Sequence, residues 1–190
     1  DATQNPSFLS RGFIGLGDRG DRDIFFWMAR NRMNYCDETG NEAHFRKKLG
    51  MVMVRGGHSI LRTFLHPAAD YPYNHPRFQG DEKLPQDPYP NGNESATDTN
   101  GDGKLSYFEA HPEWYGLLKG KRSAKVDGAG DNYCTSNTDA TAEMVRNLVR
   151  ECIDGVWRDV DVLNFWMLDN GKWCECPGCR TGPRTAGSSS

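Results

Sequence analysis

Neither sign of charge prevails in this chain, which sets 23 lysines and arginines against 26 aspartates and glutamates. Its formal net charge is -3 over 190 residues and no basic run appears, so the electrostatic footprint of a nucleic-acid binder is missing. Long apolar runs are also lacking, and none approaches the length of a membrane span. No signal peptide is visible, and the opening residues Asp1 to Pro6 read as mature or mid-chain sequence. Residues 84–95 lack helical character, because Pro85, Pro88, Pro90 and Gly92 interrupt them.

A calcium-loop pattern stands just beyond that interrupted stretch. Residues Asp98 to Glu109 place oxygen donors at loop positions 1, 3, 5, 9 and 12 and a glycine at position 6. Ca²⁺ takes six to eight hard oxygens, and a tight loop presents them by alternating donors with turning residues. Asp98, Asn100 and Asp102 offer side-chain oxygens, Lys104 its carbonyl, Ser106 a direct or water-mediated contact, and Glu109 a bidentate carboxylate. Gly103 supplies the backbone conformation that a side chain forbids. The alternative is an Asx-rich surface turn that binds nothing. With no entering helix and no second hand, the loop cannot open a groove as a calcium sensor does. It reads as a structural calcium site pinning an insertion.

The first third alternates strand and helix signals. The run from Gly12 to Leu16 predicts a strand, Ile24 to Arg32 a helix, Met33 to Cys36 a strand, and Glu42 to Leu49 a helix closed by Gly50. Met51 to Val54 then reads as a third strand, which completes a βαβαβ rhythm and implies a parallel sheet. On this reading residues 1–70 hold three βα units, 71–131 an insertion, and 132–180 a fourth unit. The polar tail 181–190 is expected to be disordered. Tyr107 to Leu118 reads as helical. The rhythm resumes at Asn132 to Thr135. Thr138 or Ser136 then caps a helix with Met144, Val145, Leu148, Val149, Cys152 and Val156 on one face, stopping at Gly155. Asp161 to Leu168 predicts a strand covered on both faces. The fold class is therefore α/β, as a small open sheet or as the N-terminal half of a parallel (β/α) TIM barrel, which in full needs about 250 residues.

Several short motifs occur together and in order: RGF at Arg11–Phe13, WMARNRMN at Trp27–Asn34, KLGMVMVRGGH at Lys48–His58, HPEWY at His111–Tyr115, CTSN at Cys134–Asn137 and LDNGKWCECPGC at Leu168–Cys179. With the calcium-loop insertion, this set resembles a bacterial family of unknown function grouped with glycosidase-type TIM barrels. That family is distantly related to the hexosaminidase and α-glucuronidase barrels. The resemblance implies a secreted or periplasmic protein acting on carbohydrate, with a barrel continuing past Arg180 whose remainder would be a partner of this portion. A non-catalytic carbohydrate-binding or structural module is the alternative.

Barrel chemistry sits at the C-terminal ends of strands. That rule selects Asp169 and Asn170 after the last strand, Arg55 and His58 after the third, Asp37 and Glu38 after the second, and Asn137 beyond Cys134. Glycoside hydrolysis needs two carboxyls flanking the bond. Asp169 is a candidate for one, although Asn170-Gly171 is equally a turn signal. Arg55 and His58 join it as catalytic candidates; Asn170, Asn137, Trp166 and Trp173 are candidates for holding a sugar. His58 is equally well read as a structural histidine, Trp166 and Trp173 as packing residues, and Glu113 with Trp114 as the start of a helix. Cys174, Cys176 and Cys179 form C-x-C-x-x-C, which suits zinc with a fourth ligand from Cys36, Cys134, Cys152 or a histidine. Six cysteines equally allow three disulfides.

Overall fold

The computed structural model describes residues 7–13, 22–36, 42–58, 60–89, 91–126, 131–166 and 172–181. Asp37, Glu38, Asp169, Asn170 and residues 182–190 of the tail lie outside the described residues. The chain divides into two compact units, one of residues 1–57 with 150–166 and the other of 58–149 with 167–190. This partition cuts at other points than the sequence boundaries.

The first unit carries a mixed α/β fold around a four-stranded parallel sheet. Its elements are β1 (Gly12–Phe13), α1 (Arg22–Arg30), β2 (Tyr35–Cys36), α2 (Ala43–Lys48), β3 (Val52–Gly57) and β6 (Val162–Phe165), in the strand order β1-β2-β3-β6. Helix α1 forms where expected because Phe25 and Met28, one turn apart, are both buried, with Asp23 in the first turn and Arg30 in the last favouring the helix dipole. Phe25, Met28, Cys36 and Met51 make the small apolar core. Gly50 ends α2 as its sequence position predicts: at φ 71 it lets its own N–H reach Lys47 and the Met51 N–H reach the Arg46 carbonyl. Helix α1 ends in the same bond pattern, but Arg32 at φ 57 stands in the glycine position. Strand β3 extends through Gly57, so Arg55 lies within the strand, opposite Leu163, rather than after it. Strand β6 is shorter than the run that predicted it, and its Val162 and Phe165, with Trp166 just beyond it, are over a third exposed. The expected cover on both faces is absent there among the described residues.

The second unit holds α3 (Ile60–Phe64), α4 (Tyr107–Ala110), the hairpin β4 (Leu117–Leu118) with β5 (Lys121–Arg122), α6 (Pro177–Thr181) and most of α5 (Thr138–Ile153). The helix expected over Tyr107 to Leu118 is broken. Pro112 lacks an N–H donor, so α4 stops at Ala110 and a 3-10 turn over Pro112–Trp114 comes next, before β4. No strand forms at Asn132 to Thr135, where a single bridge joins Tyr133 to Tyr115. The cap of α5 is Asn137, whose Oδ1 accepts the Ala140 N–H at 2.9 Å, rather than Ser136 or Thr138. The buried face of α5 is also different. It is Ala140, Glu143, Met144 and Asn147, while Val145, Val149 and Val156 are exposed.

Candidate metal centres

The calcium-pattern loop is folded into tight turns by its own acids. Asp98 accepts from Gly101 N–H at 2.6 Å and Gly103 N–H at 2.7 Å, Asn100 Oδ1 from Asp102 N–H at 2.9 Å, and Asp102 Oδ1 from Lys104 N–H at 3.0 Å. Gly103 takes φ 85, as position 6 demands. Glu109 reaches back across the loop: Oε1 accepts from the Thr99 N–H and hydroxyl, Oε2 from the Ser106 N–H and hydroxyl. Ser106 and Glu109 thereby make a capping box for α4. Burial alone would raise the Glu109 carboxyl, but the bonds from Thr99 and Ser106 outweigh it and bring it down to about 2. With no second hand to pair with, the loop backbone pairs elsewhere: the Leu105 carbonyl accepts the Tyr71 N–H at 2.7 Å and Asp70 bridges to Ser106. Asp98, Asp102 and Glu109 do not themselves converge within 4.8 Å of one another, because each is turned onto donors of the loop. An incoming cation has to displace some of those bonds.

Among the described residues, two other sets of side chains do converge, with ligand atoms within 4.8 Å of one another. The first is His75, Asp87 and His111, which sequence reasoning missed. It sits in an aromatic cluster, with His111 stacked on Trp114 at 4.0 Å between ring centres, Tyr71 and Tyr89 edge-on around them, and Tyr107 tilted against Trp114. Tyr71 donates its hydroxyl to Asp87 at 2.7 Å and lies 2.8 Å from His111 Nε2, while His111 Nδ1 lies 2.8 Å from Glu113. Tyr71 has one proton to give. Every contact becomes a donor–acceptor pair when both His111 nitrogens carry a proton. The Arg77 N–H donates to His75 Nδ1 at 3.2 Å, which leaves the His75 proton on Nε2, an atom without a partner. Asp87 Oδ2 is likewise buried without a hydrogen-bond partner, so a metal on this set would take up two partnerless atoms while moving the His75 proton and losing the Arg77 bond. Gly92 closes it, since a Cβ there would fall 2.5 Å from His75 Nε2. Beside it, the fully buried Glu143 accepts from Tyr73 at 3.0 Å, Tyr89 at 2.9 Å, Tyr107 at 2.7 Å and Arg146 at 2.9 Å. Burial holds the hydroxyls of Tyr71, Tyr89 and Tyr107 well above the usual range, so they act as donors.

The second set is Cys134, Cys174, Cys176 and Cys179. All six cysteines are unbridged, and the structure selects Cys134 to join the C-x-C-x-x-C thiols; Cys36 and Cys152 are not in the set. Cys134 Sγ lies 3.6 Å from Cys176 Sγ and 3.8 Å from Cys179 Sγ. Hydrogen bonding from Ser136 brings the Cys176 thiol down, while burial pushes the Cys174 thiol up.

The remaining sequence candidates are not members of these sets. Arg55 lies in β3, and Trp166 comes directly after β6 in the same unit, with its ring over Gly57: a Cβ there would meet Trp166 Cε3 at 3.7 Å. His58 and Trp173 belong to the other unit, Trp173 being 59% exposed, and Asn137 has its side-chain oxygen engaged in capping α5. Comparison with protein-family models, with curated proteins and with solved structures gave no match, so the functional reading rests on the chain's own geometry.

Proposed function

We propose that this chain is a calcium-stabilised portion of a secreted, glycoside hydrolase-like parallel α/β barrel that acts on carbohydrate. The observation that carries the reading is the parallel sheet and what stands at its C-terminal edge. Parallel strands share one such edge, and ligands of α/β sheets bind there. In this chain that edge holds Trp166, a half-exposed indole lying over Gly57 at the end of β3, while Arg55, a guanidinium suited to sugar hydroxyls, lies inside β3 before that end. Strands β1 and β6 are both edges among the described residues. Parallel strands are normally covered on both faces, so further βα units beside β6 would bury Val162 and Phe165. The calcium part rests on the loop's backbone, whose tight turns carry Asp98, Asn100, Asp102 and Glu109 with the glycine in its required conformation.

A specific observation favours a second reading, a carbohydrate-binding module without chemistry. Among the described residues no carboxylate stands at the C-terminal end of a strand. The deciding experiment offers the protein, in its longest natural form, a panel of oligosaccharides and aryl glycosides. Saccharide binding that quenches tryptophan emission and weakens in Trp166→Ala supports the carbohydrate reading. Hydrolysis lost in Asp169→Asn through kcat rather than KM adds the enzymic one. Neither binding nor hydrolysis across the panel would overturn both.

A further inference from the structure

The thiol set has the shape of a closed metal site. Its sulfurs come from two stretches far apart in sequence, the turn before α5 and the segment entering α6. Zinc–sulfur bonds of about 2.3 Å in a tetrahedron put the sulfurs roughly 3.8 Å apart. The Cys134 sulfur stands 3.6 and 3.8 Å from those of Cys176 and Cys179, the corner spacing of such a tetrahedron.

The surroundings are built to bring these sulfurs together. Backbone N–H groups point at two of them, Leu117 at Cys174 (3.3 Å) and Cys179 at Cys176 (3.4 Å), and Arg122 Nη1 lies 3.9 Å from Cys174 Sγ. Ser136 Oγ lies 3.3 to 3.4 Å from Cys134, Cys176 and Cys179. Two glycines permit the approach. At Gly178 a Cβ would fall 2.7 Å from Ser136 Oγ, and at Gly116 2.5 Å from the Asn132 carbonyl. A side chain at Gly178 would push the two cysteine-bearing stretches apart, and one at Gly116 would push the start of β4 away from the stretch that leads into Cys134. Cys134, Cys174 and Cys176 are each less than a tenth exposed.

We propose that Cys134, Cys174, Cys176 and Cys179 bind one Zn²⁺ as a structural tetrathiolate site. Four sulfur ligands fill the tetrahedron and leave no position for water or substrate, so the site is architectural. Soft thiolates select zinc over the hard cation suited to the calcium loop. Binding exchanges the thiol protons for the ion and fixes Lys172 to Thr181 against the β4–β5 hairpin, where the Glu175 N–H already reaches the Leu117 carbonyl at 2.7 Å. This assignment is independent of the carbohydrate reading.

The test uses the full chain purified without chelator or reductant, one portion for thiol counting as it stands and another reconstituted with Zn²⁺ under reducing conditions. Expected are a zinc-to-chain ratio of about one and six thiols in the denatured, unreduced, chelated protein. Cys134→Ser should lose more affinity than the roughly 10- to 100-fold typical of an outer-sphere partner. Cys152→Ser should keep the stoichiometry. Should Cys134→Ser fail to fold, Co²⁺ substitution in the unaltered chain decides: intense thiolate-to-cobalt charge transfer with tetrahedral bands supports the site, and weak octahedral bands overturn it. No bound zinc after reconstitution, iron held in its place, or the loss of these thiols to disulfides would likewise overturn it.

Discussion

Around Met28 and around Glu143 the chain buries side chains completely, but in different company. Met28 packs with Phe25, Cys36 and Met51, all apolar, and their contacts need little more than volume and shape. Glu143 is as deeply buried, yet its neighbours are hydroxyls and a guanidinium that all donate to it. An apolar cluster tolerates exchange among similar shapes. A carboxylate hub does not, because each donor left behind keeps its desolvation cost without a partner. The sheet unit is thus held mainly by apolar pattern, with Arg46 as its buried polar member donating to the Cys36 carbonyl at 2.9 Å, and the insertion-bearing unit by a whole set of polar pairs.

The sharpest way to break this comparison is a matched pair of volume-conserving swaps. Met28→Leu is expected to cost less than about 1.5 kcal/mol. Glu143→Met is expected to cost about 3–5 kcal/mol, since it strands Tyr73, Tyr89, Tyr107 and Arg146 at once. Urea unfolding monitored by tryptophan emission gives both values. Similar costs for the two substitutions would show that the hub is no different in kind from the apolar core.

Metal removal probes the same unit at a smaller scale. A lone extracellular-type loop binds Ca²⁺ at about 10⁻⁵ to 10⁻³ M, so about 1 mM Ca²⁺ should stabilise the fold by roughly 0.4–2.7 kcal/mol. The melting temperature should fall on adding chelator, and Glu109→Gln should abolish that response. Unchanged melting with and without chelator counts against calcium. In chelator Glu109 adds a pH dependence of known sign. Its folded value is lowered to about 2, so the stability it contributes is complete above the ordinary value of about 4.3 and is lost as pH falls towards about 2. Glu109→Gln should flatten that part of the acid-unfolding curve.

Legibility in the sequence tracks the same divide. The parallel strands could be read because each is a short apolar run between turn signals, and α2 could be ended at Gly50 because one residue carries that signal. The calcium pattern was legible since all its donors fall within one stretch, from Asp98 to Glu109. Three of the four converging thiols were legible as C-x-C-x-x-C, but Cys134 is brought in by the fold from a distant turn. The His75–Asp87–His111 core and the Glu143 hub were not legible. Their members are scattered polar residues, and counting apolar positions on α5 chose the face of Val145 and Val149 over that of Glu143 and Asn147. A usable signal was present: Tyr71, Tyr73, Tyr89 and Tyr107 are tyrosines in a proline-rich region, and buried tyrosines need partners for their hydroxyls.

Asn137 separates a capping role from a sugar-binding one. Asn137→Ala removes the acceptor for the Ala140 N–H and should cost about 1 kcal/mol, with Asn137→Ser recovering most of it. A substrate-holding asparagine would instead leave the melting temperature unchanged and alter saccharide affinity alone.

The smallest expected effect returns to the sheet unit and has the opposite sign. Helices α1 and α2 end in the same bond pattern, with Arg32 and Gly50 at matching positions and φ of 57 and 71. A side chain in the left-handed region costs roughly 1–2 kcal/mol, and glycine escapes that cost while losing more chain entropy on folding. The balance favours Arg32→Gly by about 0.5–1 kcal/mol, and the reciprocal Gly50→Ala should destabilise by about as much. Both effects come from backbone alone, because the Arg32 side chain is exposed and a Cβ at Gly50 would touch nothing within 4 Å. Equilibrium unfolding of the two variants reads the signs directly. If Arg32→Gly destabilises, the arginine side chain contributes more to closing α1 than its backbone strain costs, and the sheet unit too depends on a particular polar residue.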